Sequence, residues 1–196
     1  LEDCGVPVPN FAAFNDKEEA KEHVRENFDD DEPPVVKADG LAFGEGVVVC
    51  DSVDMGEKAI EWIMGSEFNE RHDGAGEEIV IQERLYGEEA SVFSFVDRKG
   101  EIRVITSAKD YKSVGEGGIG PNTGGMGSVS PHPKIDEEMR KKIERDIIEK
   151  IVDGMKERDT PYSGTLYTGL MIDNDGNPNV LEINVRFGDP ETQPVM

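Results

Sequence analysis

The stretch that most restricts the fold is the succession of β-type segments between residues 79 and 109. "IVIQERL", "EASVFSFVD" and "EIRVITSA" read as three successive strands, the last two joined by "RKG", which predicts an antiparallel meander. Upstream, "PVVKAD" and "GVVVC" are short β-rich runs joined by "GLAFGEG", a strand, glycine loop, strand unit. Helices flank that unit. Asn15 or Asp16 is placed to cap one running to about Phe28, and Ser52 caps another with Met55, Ala59, Ile60 and Ile63 on one side. A later helix begins near Asp136 and carries Met139, Ile143, Ile147, Ile151 and Met155 at four-residue steps, a core-packing stripe. The chain closes on a hairpin, "LYTGLMI", the turn "DNDGNPN" and "VLEINVR".

A chain of 196 residues with 36% hydrophobic content can bury a real core, as one domain or two small lobes. Its net charge of −22 argues against nucleic acid or an anionic membrane as partner, because phosphate contacts need basic patches. The acids are interleaved with periodic apolar segments, which fits an acid-coated folded surface of the kind that works at high salt. No apolar run is long enough to span a membrane, and "LEDCGVPVPNF" lacks the features of a signal peptide. Cys4 and Cys50 have no metal-like spacing and read as buried free thiols of a reducing, cytoplasmic compartment. His23, His72 and His132 read as solvated or turn residues. The start at Leu1 and the stop at "QPVM" suggest a piece of a longer chain.

Side chains alternate across a strand, so in "VLEINVR" Leu181, Ile183 and Val185 point to the core while Glu182, Asn184 and Arg186 share the other face. A carboxylate and an amide oxygen about 6 to 7 Å apart on a rigid strand suit Mg²⁺, which takes one or two protein oxygens and leaves the rest to water and phosphate. Arg186 beside them has the fork that holds phosphate oxygens. A solvent-facing strand with an incidental Glu and Arg is the bland alternative. "RFGDPETQ" follows at once and puts Asp189 and Glu191 in a polar turn. Lys37 in "VVKADG" is either a solubility charge at a strand edge or a phosphate ligand. "GLAFGEG" can cover phosphates with its N–H groups, although it is no Walker A sequence. In "GPNTGGMGSVSP" the dense glycine, with Asn122, Thr123 and Met126 among it, points to a loop whose backbone approaches a ligand rather than to a linker.

Taken in order, "VVKADGLAFGEGVVV", "IVIQERLYGEEAS", "KDYK" with "GPNTGGMGSVSP", and "LYTGLMIDNDGNPNVLEINVRFGDPETQP" resemble the ATP-grasp portion of the phosphoribosylamine-glycine ligase family, the glycinamide ribonucleotide synthetases. The resemblance runs from about Val6 to Met196. It implies an α+β ATP-grasp fold in which two α+β lobes, approximately 16–82 (lid) and 83–196 (core, with the metal and substrate site), grip ATP between them. Residues 1–196 are then a fragment of an enzyme whose N- and C-terminal domains are missing. The implied activity joins glycine to 5-phosphoribosylamine in purine biosynthesis through glycyl phosphate, with ATP and Mg²⁺ (or Mn²⁺). Another ATP-grasp carboxylate-amine ligase, or a nucleotide-binding module without ligase activity, remains the alternative.

The same resemblance implies roles by position. Lys37 touches the ATP phosphates, under a loop containing Gly40, Gly44 and Gly46. Gln82, Glu83, Arg84 and Leu85 meet adenine through backbone groups, and Glu89 meets the ribose. Glu182 and Asn184 bind the metal, with Arg186 near the transferred phosphate. Asp110, Lys112, Asn122, Thr123, Gly124, Gly125, Met126, Asp189 and Glu191 shape the site for glycine and phosphoribosylamine. Departures from the family pattern fall at Glu45, where lysine is common, at Gln82 (glutamate), and at Lys109 and Tyr111 (glutamine and histidine). Glu45 is the sharpest, because a carboxylate facing phosphates is repulsive.

Overall fold

The structure is a computed structural model that describes residues 1–42, 45–116, 119–123 and 125–196. Gly44 and Gly124 lie outside the described residues, as does the side chain of Asn122. The chain divides into two compact units, Pro9–Leu85 and Leu1–Val8 with Tyr86–Met196. The first residues join the second unit because Val6 is in its core and the Pro7 carbonyl accepts the Val180 N–H at 2.8 Å. The lobe limits read from the sequence, 16–82 and 83–196, shift accordingly.

The unit Pro9–Leu85 holds β1 (Phe11–Phe14), α1 (Lys17–Asn27), β2 (Val35–Ala38), β3 (Val47–Val49), α2 (Val53–Ile63), α3 (Ser66–Arg71) and β4 (Ile79–Gln82). Asp16 caps α1 through the N–H groups of Glu18 and Glu19, and Ser52 caps α2 through that of Met55. Among the described residues the strands form one antiparallel sheet in the order β1-β4-β2-β3. So "IVIQ" is not the first strand of a meander. Ile79 and Ile81, both fully buried, pack with Val24, Ala59, Ile60 and Ile63 of this unit's helices. Met55, expected inward, is 37% exposed. Gly56 has the packed position instead, since it is three, four and seven residues from Ala59, Ile60 and Ile63 and a Cβ there would lie 2.9 Å from Pro34 Cγ.

The second unit holds β5 (Gly87–Val96), β6 (Ile102–Asp110), β7 (Ser113–Gly115), β8 (Ile119–Asn122), β9 (Ser128–Val129), α4 (Glu137–Ile143), α5 (Glu149–Glu157), β10 (Gly164–Asp173), β11 (Pro178–Asn184) and α6 (Thr192–Val195). Among the described residues its main sheet runs β11-β10-β5-β6-β9, with β7 and β8 as a separate pair. A π-helical turn, Glu144–Ile148, joins α4 to α5. A stripe at four-residue steps outruns the 3.6-residue repeat by about 40° per step, and the wider turn takes up that drift. Ile143, Ile147, Ile148, Ile151 and Val152 are buried as a result, while Met139 and Met155 lie half-buried at the ends.

The alternation expected along β11 is broken by a bulge. Glu182 pairs with Gly169 but Val180 pairs with Leu170, leaving Leu181 as the extra residue. Val180 and Ile183 therefore face the core, three positions apart. Val185, read from the sequence as a core residue, lies beyond the strand and is 69% exposed. Glu182 and Asn184 still share a face, opposite Gly169 and Tyr167 of β10.

Candidate functional site

In the second unit, strand register gathers Glu89 and Ser91 of β5, Tyr167 and Gly169 of β10, Glu182 and Asn184 of β11, and Ala108 and Asp110 of β6 on one face of the sheet. Gly169 is required there, because its Cβ would meet Glu182 Cγ at 2.8 Å. Glu191 lies against this face, 3% exposed. Its Oε1 accepts hydrogen bonds from Tyr167 (3.1 Å) and Ser91 (3.2 Å), whose hydroxyls are 2.9 Å apart. Burial pushes the Tyr167 hydroxyl pKa well up, so the phenol stays a donor. Its carboxylate fills the space beside Gly188, where a Cβ would lie 2.3 Å from Glu191 Oε2. Glu191 thus braces the turn from inside.

Acidic charge is in excess across this face. Lys112 Nζ pairs with Glu89 Oε2 at 2.9 Å. Burial opposes the Lys112 charge, but Glu89, Glu182 and Asp110 outweigh it and hold its pKa above the usual value. Asp110 is different. Burial first, then the charge of Glu191, pushes its pKa from 3.8 to about 6, and its buried Oδ1 has no hydrogen-bond partner among the described residues. A half-buried carboxyl with one unpartnered oxygen suits a ligand carrying N–H groups or positive charge.

The two glycine-bearing segments meet beside Asp110. Gly125 (φ +119°) packs so closely that a Cβ would lie 2.3 Å from Pro190 Cδ and 3.4 Å from Asp110 Oδ1. Its N–H donates to Thr123 Oγ1, and the Thr123 N–H and hydroxyl both donate to the Lys112 carbonyl. Met126 N–H donates to the Tyr111 carbonyl. The Thr123, Gly125 and Met126 amides of this loop are therefore spent within the protein. Its glycine serves close packing that holds the loop against Asp110 and Pro190. Met126 is 61% exposed, Asp189 accepts from Gln193 Nε2 at 3.0 Å, and Arg186 donates to the Phe187 carbonyl on the exposed side of the turn.

In the unit Pro9–Leu85, Lys37 is half-buried in β2, and Gly40 and Gly46 are tightly enclosed: a Cβ would lie 2.5 Å from Ala75 Cα and 2.8 Å from Ala42 Cβ, respectively. Gln82 is buried, while the Glu83 carboxylate takes the N–H and side-chain amide of Asn10 at 2.8 and 3.1 Å. Arg84 holds the Cys50 carbonyl and Asp51. Leu85 is half-buried. Glu45 is turned to the end of α3, its Oε2 3.2 Å from His72 Nε2 and 3.7 Å from Arg71 Nη1. His72 Nε2 makes no hydrogen bond among the described residues, so this contact is one of proximity.

Glu182 and Asn184 supply hard oxygen donors on one face, which fits a divalent cation. Among the described residues no group of three or more His, Cys, Asp or Glu side chains converges on a metal position, so the remaining ligands would come from phosphate and water. Ser91, Tyr167 and His132 escaped the sequence reading. His132 is 1% exposed and His72 is also buried, so neither is a solvated residue.

A sequence profile of the phosphoribosylglycinamide synthetase ATP-grasp (A) domain matches residues 1–192. The chain belongs to this family. It is 46% identical over 192 residues to phosphoribosylamine-glycine ligase of Vibrio vulnificus, covering 97% of this chain and 43% of that protein. It is 47% identical over 193 residues to the ligase of Xylella fastidiosa, covering 98% and 43%. The crystal structure of the Thermotoga maritima phosphoribosylamine-glycine ligase superposes with a TM-score of 0.83 at 36% identity, over 98% of this chain and 46% of that one. The ATP-grasp domain thus spans less than half the length of these relatives, and the fold is α+β of the ATP-grasp type. Among the described residues no helix is long and apolar enough to cross a membrane.

Proposed function

We propose that the protein carrying this domain joins glycine to 5-phosphoribosylamine at the expense of ATP, giving glycinamide ribonucleotide, ADP and phosphate. A glycine carboxylate oxygen attacks the γ-phosphorus and its bond to ADP breaks. The amine nitrogen of phosphoribosylamine then attacks the glycyl carbonyl, phosphate leaves, and the amine loses a proton. Little covalent chemistry is asked of the protein, so positioning and charge carry the rate. Glu182 and Asn184 would hold Mg²⁺ or Mn²⁺, which offsets phosphate charge when bound.

The chain's own residues divide the remaining work. We assign Lys37, Gly40, Gly46, Gln82, Glu83, Arg84 and Leu85 to ATP, Glu89 to its ribose, and Arg186 to the transferred phosphoryl group. Asp110, with a pKa near working pH, is suited to take the proton that the attacking amine loses. Lys112, Thr123, Gly125, Met126 and Asp189 shape the substrate face, and Glu191 packs against it. The free thiols of Cys4 and Cys50 suit a reducing cytoplasm.

The observation that carries this reading is the meeting of Gly125 with Pro190 beside the unpartnered Oδ1 of Asp110. It joins the two most distinctive segments of the sequence at one place. Phosphate release by the full-length protein tests the reading: it should require glycine and phosphoribosylamine together. Release with a different amine acceptor would point to another carboxylate-amine ligase, and none with any pair to a nucleotide-binding module.

A further inference from the structure

His132 is the most deeply buried titratable side chain near the candidate site that the proposed chemistry does not use, and each of its polar groups is engaged. Its backbone N–H donates to Ser107 Oγ at 3.1 Å. Nδ1 lies 3.1 Å from the Lys134 N–H and accepts from it, so the imidazole proton is on Nε2. Nε2 in turn lies 3.1 Å from the Glu89 carbonyl and donates to it. The neutral ring is therefore a two-ended strut from residue 134 to β5.

Its target is a place where the sheet gives support on one side only, since β10 pairs with Glu89 through Met171 while β6 does not reach it. The β5–β6 ladder ends at Ser91 and Ala108, two residues short of Glu89. Past that end, His132 supplies the donor on the Glu89 carbonyl. Alternation puts the Glu88 side chain on the opposite face from that of Glu89. Glu88 pairs there with Lys134 (2.8 Å) and Lys109 (3.1 Å) and is 4.0 Å from His132 Nε2, while the Glu89 carboxylate holds Lys112 across the sheet.

We infer that His132 is a positioning residue for nucleotide binding: by fixing the Glu89 backbone from beneath the sheet, it sets the Glu89 carboxylate and Lys112 on the ligand face. This rests on the assignment of Glu89 to the ATP ribose. The strut works only while the ring is neutral, because a second proton at Nδ1 removes the acceptor for Lys134 N–H. Burial holds the His132 pKa below its ordinary value, Lys109 and Lys134 adding to the effect and the Glu89 carbonyl and Glu88 opposing it.

The test uses full-length enzyme, ATP as titrant, and two variants that each keep one end of the strut. His132→Gln retains an amide N–H able to reach the Glu89 carbonyl. His132→Asn retains only an acceptor near the Nδ1 position. His132→Asn should raise the Kd and KM for ATP about five- to tenfold with kcat within about twofold of wild type, and His132→Gln should stay within about twofold for all three. Wild-type ATP affinity should also fall as pH drops from 6.5 to 4.5 by more than that of His132→Gln, a comparison that stands even where His132→Asn fails to fold. Equal losses of Tm in both variants with unchanged ATP affinity would reduce His132 to a packing residue and overturn the inference. So would identical pH profiles for wild type and His132→Gln. Absence of ATP binding by wild type would instead remove the ligase reading itself, and this inference with it.

Discussion

Asp110→Asn should stabilise the fold at neutral pH while removing activity, with a size set by the carboxyl's surroundings. A shift from 3.8 to about 6 means that the folded state holds its proton more tightly than the unfolded chain. Each unit corresponds to about 1.4 kcal/mol, so the ionised carboxylate costs the fold roughly 1–3 kcal/mol at pH 8. The sign follows from proton counting: between pH 4 and 6 the unfolded chain has released the proton and the folded chain has not, so stability declines as pH rises through that window. An amide of the same shape carries no such penalty. The gain should be about half as large at pH 5, since only the part of the window above 3.8 has then been crossed. In thermal unfolding this is about 2–10 °C at pH 8 for a chain of this size. Turnover by full-length Asp110→Asn should fall steeply, since an amide takes no proton from the amine. A Tm gain of equal size at pH 5 and 8, or a loss at pH 8, would refute the claim that an unpaired buried charge sits at this position.

Three further outcomes are expected. Glu182→Gln should nearly abolish metal-dependent turnover with circular dichroism unchanged, because the side chain is on the exposed face and Val180 and Ile183 remain packed; near-normal activity would move the metal elsewhere. Glu45→Lys should leave the KM for ATP within about twofold, since the carboxylate is turned to Arg71 and His72 and is 56% exposed, with a stability loss of no more than about 1 kcal/mol; a tenfold drop in KM at low salt would place the side chain at the phosphates. With 43 acidic residues, Tm should rise between low and molar KCl as the screening length shrinks from ~30 Å at 0.01 M, and a flat profile would remove the high-salt reading.

The parts of the fold written in short-range chemistry were legible. Asp16, Ser52 and Asp136 each cap a helix through N–H groups two or three residues on, which a sequence window contains. The β10–β11 hairpin and the shared face of Glu182 and Asn184 follow from turn residues and alternation. What stayed hidden depends on partners far away in the chain. The hydroxyl pair that holds Glu191 brings Ser91 across 100 residues, and β4 looks like a neighbour of β5 until its pairing with β1 is known. His132 resembles a turn residue because the groups that bury it, at Glu89 and Ser107, are on strands 43 and 25 residues earlier. The Thr123, Gly125 and Met126 amides of the second glycine loop could not be counted as spent until their acceptors, on Lys112, Thr123 and Tyr111, were seen.

The extra residue in β11 has a consequence for how this strand can vary. Leu181 has no cross-strand partner, and because it is one residue extra, Val180 and Glu182 stand two apart in the chain yet face opposite sides of the sheet. Neither its side chain nor its place in the count is needed for the pairing on either side of it. Deleting Leu181 would leave Val180 opposite Leu170 and Glu182 opposite Gly169 as successive pairs of a regular ladder, with Val180 and Ile183 still facing the core and the two oxygen donors still on the other face. Loss of this one residue should thus disturb the strand far less than loss of a paired neighbour, because it is a spare letter that the reading frame does not count.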